Sequence, residues 1–140
     1  MSERHSRKID LLPALTITGA GTVTSTPQRF MEGVKYLLLQ ATFTYGSGGT
    51  TAKAYVQTSS DGGTTWRDVA SFAFTTASAK KFSALSASIA LAAAQGVSDG
   101  ALADDTILNG LIGDLWQVKV VSTGTYGGNT TLAVAAVPQR

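Results

Sequence analysis

Thr51-Ala-Lys-Ala-Tyr-Val-Gln-Thr-Ser-Ser60-Asp-Gly-Gly-Thr-Thr-Trp66-Arg-Asp-Val-Ala-Ser-Phe-Ala-Phe74 is the stretch whose reading decides the fold. In its first half Ala52, Ala54 and Val56 alternate with Lys53, Tyr55 and Gln57. Successive side chains of a strand point to opposite faces, so this period of two predicts a strand with one face buried. Asp61-Gly62-Gly63 then supplies a tight turn, because Asp hydrogen-bonds its own backbone and Gly tolerates positive φ. The chain returns as a second strand, Trp66 to Phe74.

The same grammar runs outward in both directions. Upstream, Tyr36 to Tyr45 ends with Phe43 and Tyr45 on one face and Thr42 and Thr44 on the other. Gly46-Ser-Gly-Gly-Thr50 follows and reads as a hairpin loop. Downstream, Lys80 to Ser88 sets Phe82 and Ala84 against Lys81 and Ser83. Leu115 to Thr123 sets Trp116, Val118 and Val120 against Gln117, Lys119 and Val121. A Gly-rich turn (Gly124 to Asn129) and a closing strand through Pro138 complete the series. Two shorter Thr-rich strands, Ala14 to Thr18 and Gly21 to Thr26, precede it.

Between Ala87 and Gly113 the period is lost. Asp105 to Gly113 reads as a single helical turn capped by Asp104 or Asp105. Gln95 to Asp114 reads as a long crossover between sheets. The expectation is therefore an all-β, single-domain β-sandwich of jelly-roll or Greek-key topology with one long crossover loop. The phrase Thr-Tyr-Gly-Ser-Gly-Gly-Thr-Thr at 44–51 is echoed by Thr-Tyr-Gly-Gly-Asn-Thr-Thr at 125–131. Two hairpins with one turn recipe account for that echo.

Composition sets the function classes. Of 140 residues, 14% are charged against a globular average of about 25%, and 44% are hydrophobic, which excludes intrinsic disorder. There is no Cys and one His, His5, so thiolate chemistry, His-pair metal sites and a Ser–His nucleophile are all unavailable. We read the chain as not an enzyme and as needing no cofactor. Asp68 and Glu32 stand alone, so no carboxylate pair is offered for glycoside hydrolysis. Asp99, Asp104, Asp105 and Asp114 lack the spacing of a Ca²⁺ loop and read as caps and solvated loop carboxylates. No Gly-rich segment is followed by Gly-Lys-Ser/Thr, so none is a phosphate loop.

The net charge of +2 is concentrated in Arg4, Arg7 and Lys8. A nucleic-acid binder carries a basic stripe through its domain, and this chain does not. No apolar stretch approaches the roughly 20 residues of a bilayer span, and no signal-peptide core follows the N-terminal charges. The expectation is a protein made in the cytoplasm, bound to neither nucleic acid nor membrane. Residues 1–10 are expected to form a flexible basic arm and residues 11–140 the sandwich. Arg4, Arg7, Lys8, Leu11 and Leu12 are then the candidate partner contacts.

Ser59, Asp61, Gly63 and Trp66 match the Asp-box pattern S-x-D-x-G-x-x-W of sialidases and other propellers, where the box is a structural turn. Four blades of roughly 40–50 residues do not fit in this chain, so the box is read as a turn with Trp66 packed beneath it. Tyr55, Trp66, Phe72, Phe74 and Trp116 are read as core, the alternative being an exposed platform for sugars or bases.

With those residues in view, the chain resembles small virion proteins of tailed bacteriophages. The likeness rests on the Thr/Gly/Ala-rich body, on YVQTSSDGGTTWRDVASFAF and GDLWQVKVVSTGTYGGNTTLAV, and on the basic arm, over residues 30–137 and the N-terminus. Among these it is most similar to head decoration (cement) proteins. The resemblance implies many copies on the exterior of an icosahedral capsid, bridging major capsid proteins and neighbouring copies of itself. Another phage structural part (tail, fibre or head–tail connector) and a carbohydrate-binding module are the rival readings.

Overall fold

The alternating segments form ten strands in a computed structural model that describes residues 7–140. They are β1 (Ile9–Thr16), β2 (Gly21–Thr24), β3 (Tyr36–Thr44), β4 (Ser47–Gly48), β5 (Thr51–Ser59), β6 (Arg67–Phe74), β7 (Ala79–Ser86), β8 (Leu115–Thr123), β9 (Tyr126–Gly127) and β10 (Thr131–Gln139). One four-stranded sheet has the order β1-β10-β3-β7 and a second has β2-β8-β5-β6, with β4 and β9 as a separate ribbon. Every pair within these sheets is antiparallel. The chain is an all-β sandwich, and no helix forms among the described residues.

The eight long strands pair as nested brackets: β5 with β6, β3 with β7, β2 with β8, and β1 with β10. Only β5 and β6 are joined by a tight hairpin within one sheet. Every other connection between consecutive long strands passes from one sheet to the other. The long segment from Ala87 to Asp114 is one of these crossovers, linking β7 to β8. It contains no helical turn, contrary to expectation. Its carboxylates pair with strand lysines instead: Asp104 with Lys53 at 2.9 Å and Asp105 with Lys81 at 2.9 Å.

The period of two does its work in the core. Leu37, Leu39, Ala41 and Phe43 of β3 point inward beside Leu132, Val134 and Ala136 of β10. Ala52, Ala54 and Val56 of β5 and Trp116, Val118 and Val120 of β8 line the other sheet. Burying each Leu, Val or Phe contributes about 1.5–3 kcal/mol. Aromatic rings close one end, with Phe43 stacked on Phe74 at 5.0 Å between centroids and edge-on to Tyr126 at 6.0 Å.

Three expectations need correcting. First, β1 begins at Ile9, inside the stretch assigned to the arm, and Leu11 and Leu12 are buried rather than available to a partner. Register shifts between Asp10 and Leu12 and between Leu12 and Leu15 let these adjacent residues both turn inward, which a regular strand forbids. Second, the two Gly-rich turns are not hairpins. They cross between sheets at the same end and knit together, Ser47 opposite Gly127 and Gly48 opposite Tyr126. A Cβ at Gly49 would clash with the Tyr126 ring, closest to its Cε1, so the echo in the sequence encodes two turns that pack on each other. Third, Trp66 is only half-buried, and the fully buried tryptophan is Trp116.

Candidate functional site

The turn that joins β5 to β6 holds itself together. Ser59 Oγ donates to Asp61 Oδ1 at 2.8 Å and accepts from the Gly63 amide at 3.0 Å. Asp61 Oδ1 also accepts from the Thr65 amide at 2.9 Å, and Oδ2 accepts from the Thr65 hydroxyl. These donors, with Thr65 first, hold the Asp61 carboxyl down at about 2. Gly62 and Gly63 sit at φ +74° and +94°, where a side chain is strained. Ser59, Asp61 and Gly63 thus act on one another and on backbone, whereas Trp66 stands at the edge of the turn and faces a groove.

A buried polar cluster lies below that turn. Opposite Val56 and Gln57, β6 carries one extra residue, Val69. That bulge sets Asp68 beside Gln57 on the outer side of the sheet, and both side chains are wholly buried. Gln57 Nε2 donates to Asp68 Oδ1 at 2.8 Å and to Asp99 Oδ1 at 2.7 Å, while its Oε1 accepts from Gln117. Asp68 also accepts from Ser98 Oγ and from the amides of Gly100, Ala101 and Leu102. Burial opposes ionisation of Asp68, but Gln57, these amides and Ser98 together outweigh it and hold the carboxyl below its ordinary range. Gln57 and Lys119 likewise lower Asp99. The cluster clamps the crossover onto the sheet.

The crossover also covers the β6 edge. Ser71 and Leu108 amides donate to Thr106 and Val69 carbonyls, and the Asp68 amide donates to Ser98. An edge strand so covered offers no backbone for pairing with another chain. Sequence reading missed this arrangement because Asp68 looked solitary. The one available signal was a polar Gln57 and Asp68 flanking the turn, with a Ser-Asp-Gly at 98–100 far downstream.

The outer face of the other sheet is different in character. Leu38 on β3 lies between Ala84 of β7 and Val137 of β10, and Gln40 lies between Phe82 and Ala135. Phe82 is 62% exposed and Tyr36, on the same face, 51%. The expected alternation of β7 is present, but its aromatic member points outward and Lys81 reaches back to the Ala73 carbonyl and Asp105. Lys8 and Asp10 border this face, which forms a shallow depression of about 170 Å³ with Leu38, Ala133, Ala135 and Val137. Arg7 and Lys8 are exposed, and Arg4 lies outside the described residues. Among the described residues no three His, Cys, Asp or Glu side chains converge as a metal site.

Compared with known proteins, the chain matches no protein family, no curated protein and no solved structure.

Proposed function

We propose that this protein is a structural component of a tailed-bacteriophage virion, a decoration protein that binds the exterior of an icosahedral head. In this reading it bridges major capsid proteins and neighbouring copies of itself. The observation that carries the reading is the outer face of the β1-β10-β3-β7 sheet. It carries Leu38, Ala84, Ala133, Ala135 and Val137 around Gln40 and Thr42, with Tyr36 and Phe82 standing out from it and Lys80, Lys8 and Asp10 as its charges. Contiguous exposed apolar surface on a rigid sheet marks a contact surface. Lys8, 3.4 Å from Asp10, stands at its border, where the pair offers a charged contact to a neighbour.

The strand order supports a finer reading of the fold. Nested antiparallel pairs are what a single long hairpin produces when it is rolled so that its strands alternate between two sheets. We infer that this sandwich is a jelly roll, an architecture used by viral capsid and lectin domains.

The test is co-sedimentation with capsids of the encoding phage that lack this protein. Ala135→Glu and Leu38→Glu place a charge on the outer face without touching the core. Each is expected to weaken capsid binding at least about tenfold with an unchanged urea midpoint. Undiminished binding by both variants overturns the assignment of this face, and failure of the unaltered protein to bind any capsid overturns the decoration reading.

A further inference from the structure

A groove of about 200 Å³ opens on the opposite side of the sandwich, between the Asp61 turn and two stretches of the 87–114 crossover. Trp66, Arg67, Gln95, Val97, Leu111 and Ile112 line it. Neither the packing of the core nor the clamp at Asp68 uses Trp66, which is left half-buried at the rim.

Arg67 is the residue that gives the groove a chemical preference. The strand lysines around the crossover are each matched to a carboxylate: Lys53 to Asp104, Lys81 to Asp105 and Lys119 to Asp99. Asp114 is taken by Arg29 at 2.8 Å, and Asp68 is saturated by five donors. Among the described residues no carboxylate pairs with Arg67. Its Nε is sealed from solvent without a hydrogen-bond partner, so a ligand in the groove would meet only the outer guanidinium nitrogens. A planar guanidinium beside an indole in a small, largely apolar hollow matches a ligand with one carboxylate on a compact ring.

We propose that this groove binds a carboxylate-bearing sugar, a uronic-acid unit of an acidic polysaccharide. The C–H face of the pyranose lies on Trp66, its carboxylate pairs with Arg67, and its hydroxyls meet the Gln95 amide and the Ser60 hydroxyl at the rim. The volume holds one such ring. An acidic peptide is the poorer fit, because the backbone groups of the neighbouring β6 edge are already paired with the crossover and leave no strand for a peptide to extend. This proposal is independent of the capsid reading, which concerns the other sheet.

The experiment titrates the full chain with galacturonate and a short oligogalacturonide, with galactose and a Glu-rich peptide as comparisons, following tryptophan emission. Trp116 is 0% exposed, so a ligand-dependent change reports Trp66. The expected result is a saturable change with the acidic sugars and binding at least about tenfold weaker for galactose. Arg67→Gln lowers affinity for galacturonate on the order of tenfold, and Arg67→Lys restores part of it. Equal binding of galactose, tighter binding of the peptide, no saturable change with either acidic sugar, or wild-type affinity in Arg67→Gln each overturns the proposal. The sugar comparison on the unaltered protein decides the matter should a variant fold poorly.

Discussion

Replacing Asp68 with Ala takes an acceptor from five donors, Gln57 Nε2, Ser98 Oγ and the amides of Gly100, Ala101 and Leu102, of which only Gln57 keeps another, Asp99. Hydrogen bonds to a charged group contribute about 1.5–3 kcal/mol each. Five taken at face value would equal the whole stability of a typical domain, about 5–15 kcal/mol, so they cannot simply be added. Burying the carboxylate costs several kcal/mol of hydration, which offsets much of the gross gain. The net effect is set by donors left without an acceptor, and about 3–5 kcal/mol is the expected loss. Urea denaturation at pH 7 measures it, and the thermal midpoint should drop by about 10 °C or more. Hydrogen exchange localises the damage, with amides 98–108 losing protection before the β3 and β10 core does. The pH dependence has a definite sign. The folded carboxyl sits below its ordinary value, so its contribution is complete above the unfolded pKa and disappears as pH falls through the folded one. Asp68→Ala lacks that acid-side loss. A variant within about 0.5 kcal/mol of wild type at pH 7 refutes the clamp, since surface substitutions already span that range.

Three further outcomes follow from the same structure. Gly49→Ala is expected to cost at least about 2 kcal/mol by urea denaturation, because φ is +72° and the new Cβ meets the Tyr126 ring; a neutral result refutes the close packing of the two crossing turns. Trp116→Ala should cost about 3–5 kcal/mol, and the half-buried Trp66→Ala clearly less; the reverse order in a paired urea experiment refutes the assignment of the core tryptophan. Asp61 should titrate at about 2 by carboxyl NMR, so the turn keeps its stability down to the ordinary value of 3.8 and loses it only below, while Thr65→Val should raise the midpoint. A wild-type midpoint near 3.8 refutes the hydrogen-bond set.

Much of the architecture was legible in one dimension. Alternation in 36–44, 51–57 and 116–121 marked strands, because side-chain direction follows from position along an extended backbone, but not burial: the crossover also buries Tyr55, Gln57 and Gln117 on the outer face. Ser59, Asp61 and Gly63 announced their turn because the interacting groups lie within a few residues of each other. Alternation is silent, however, on which strand pairs with which. Gly46-Ser-Gly-Gly and Gly124-Thr-Tyr-Gly-Gly read equally well as hairpins and as crossings, and only the sheet order separates the two. Nor does alternation say which half of β7 faces inward. Lys81 turned in because Asp105, 24 residues away, and the Phe74 ring receive it, which leaves Phe82 on the outer face.

What the sequence by itself determined is therefore local: strand positions, the self-satisfying Asp61 turn, and a composition with no cysteine and a single histidine. The tertiary structure alone decided the nested pairing, the burial of Leu11 and Leu12 through irregular register, and the Gln57–Asp68–Asp99 cluster. It also left Trp66 and Arg67 at a groove. The physical reason is range. A turn closes through neighbours and costs little chain entropy, whereas the clamp joins groups 30 or more residues apart and exists only once the sheets have brought them together.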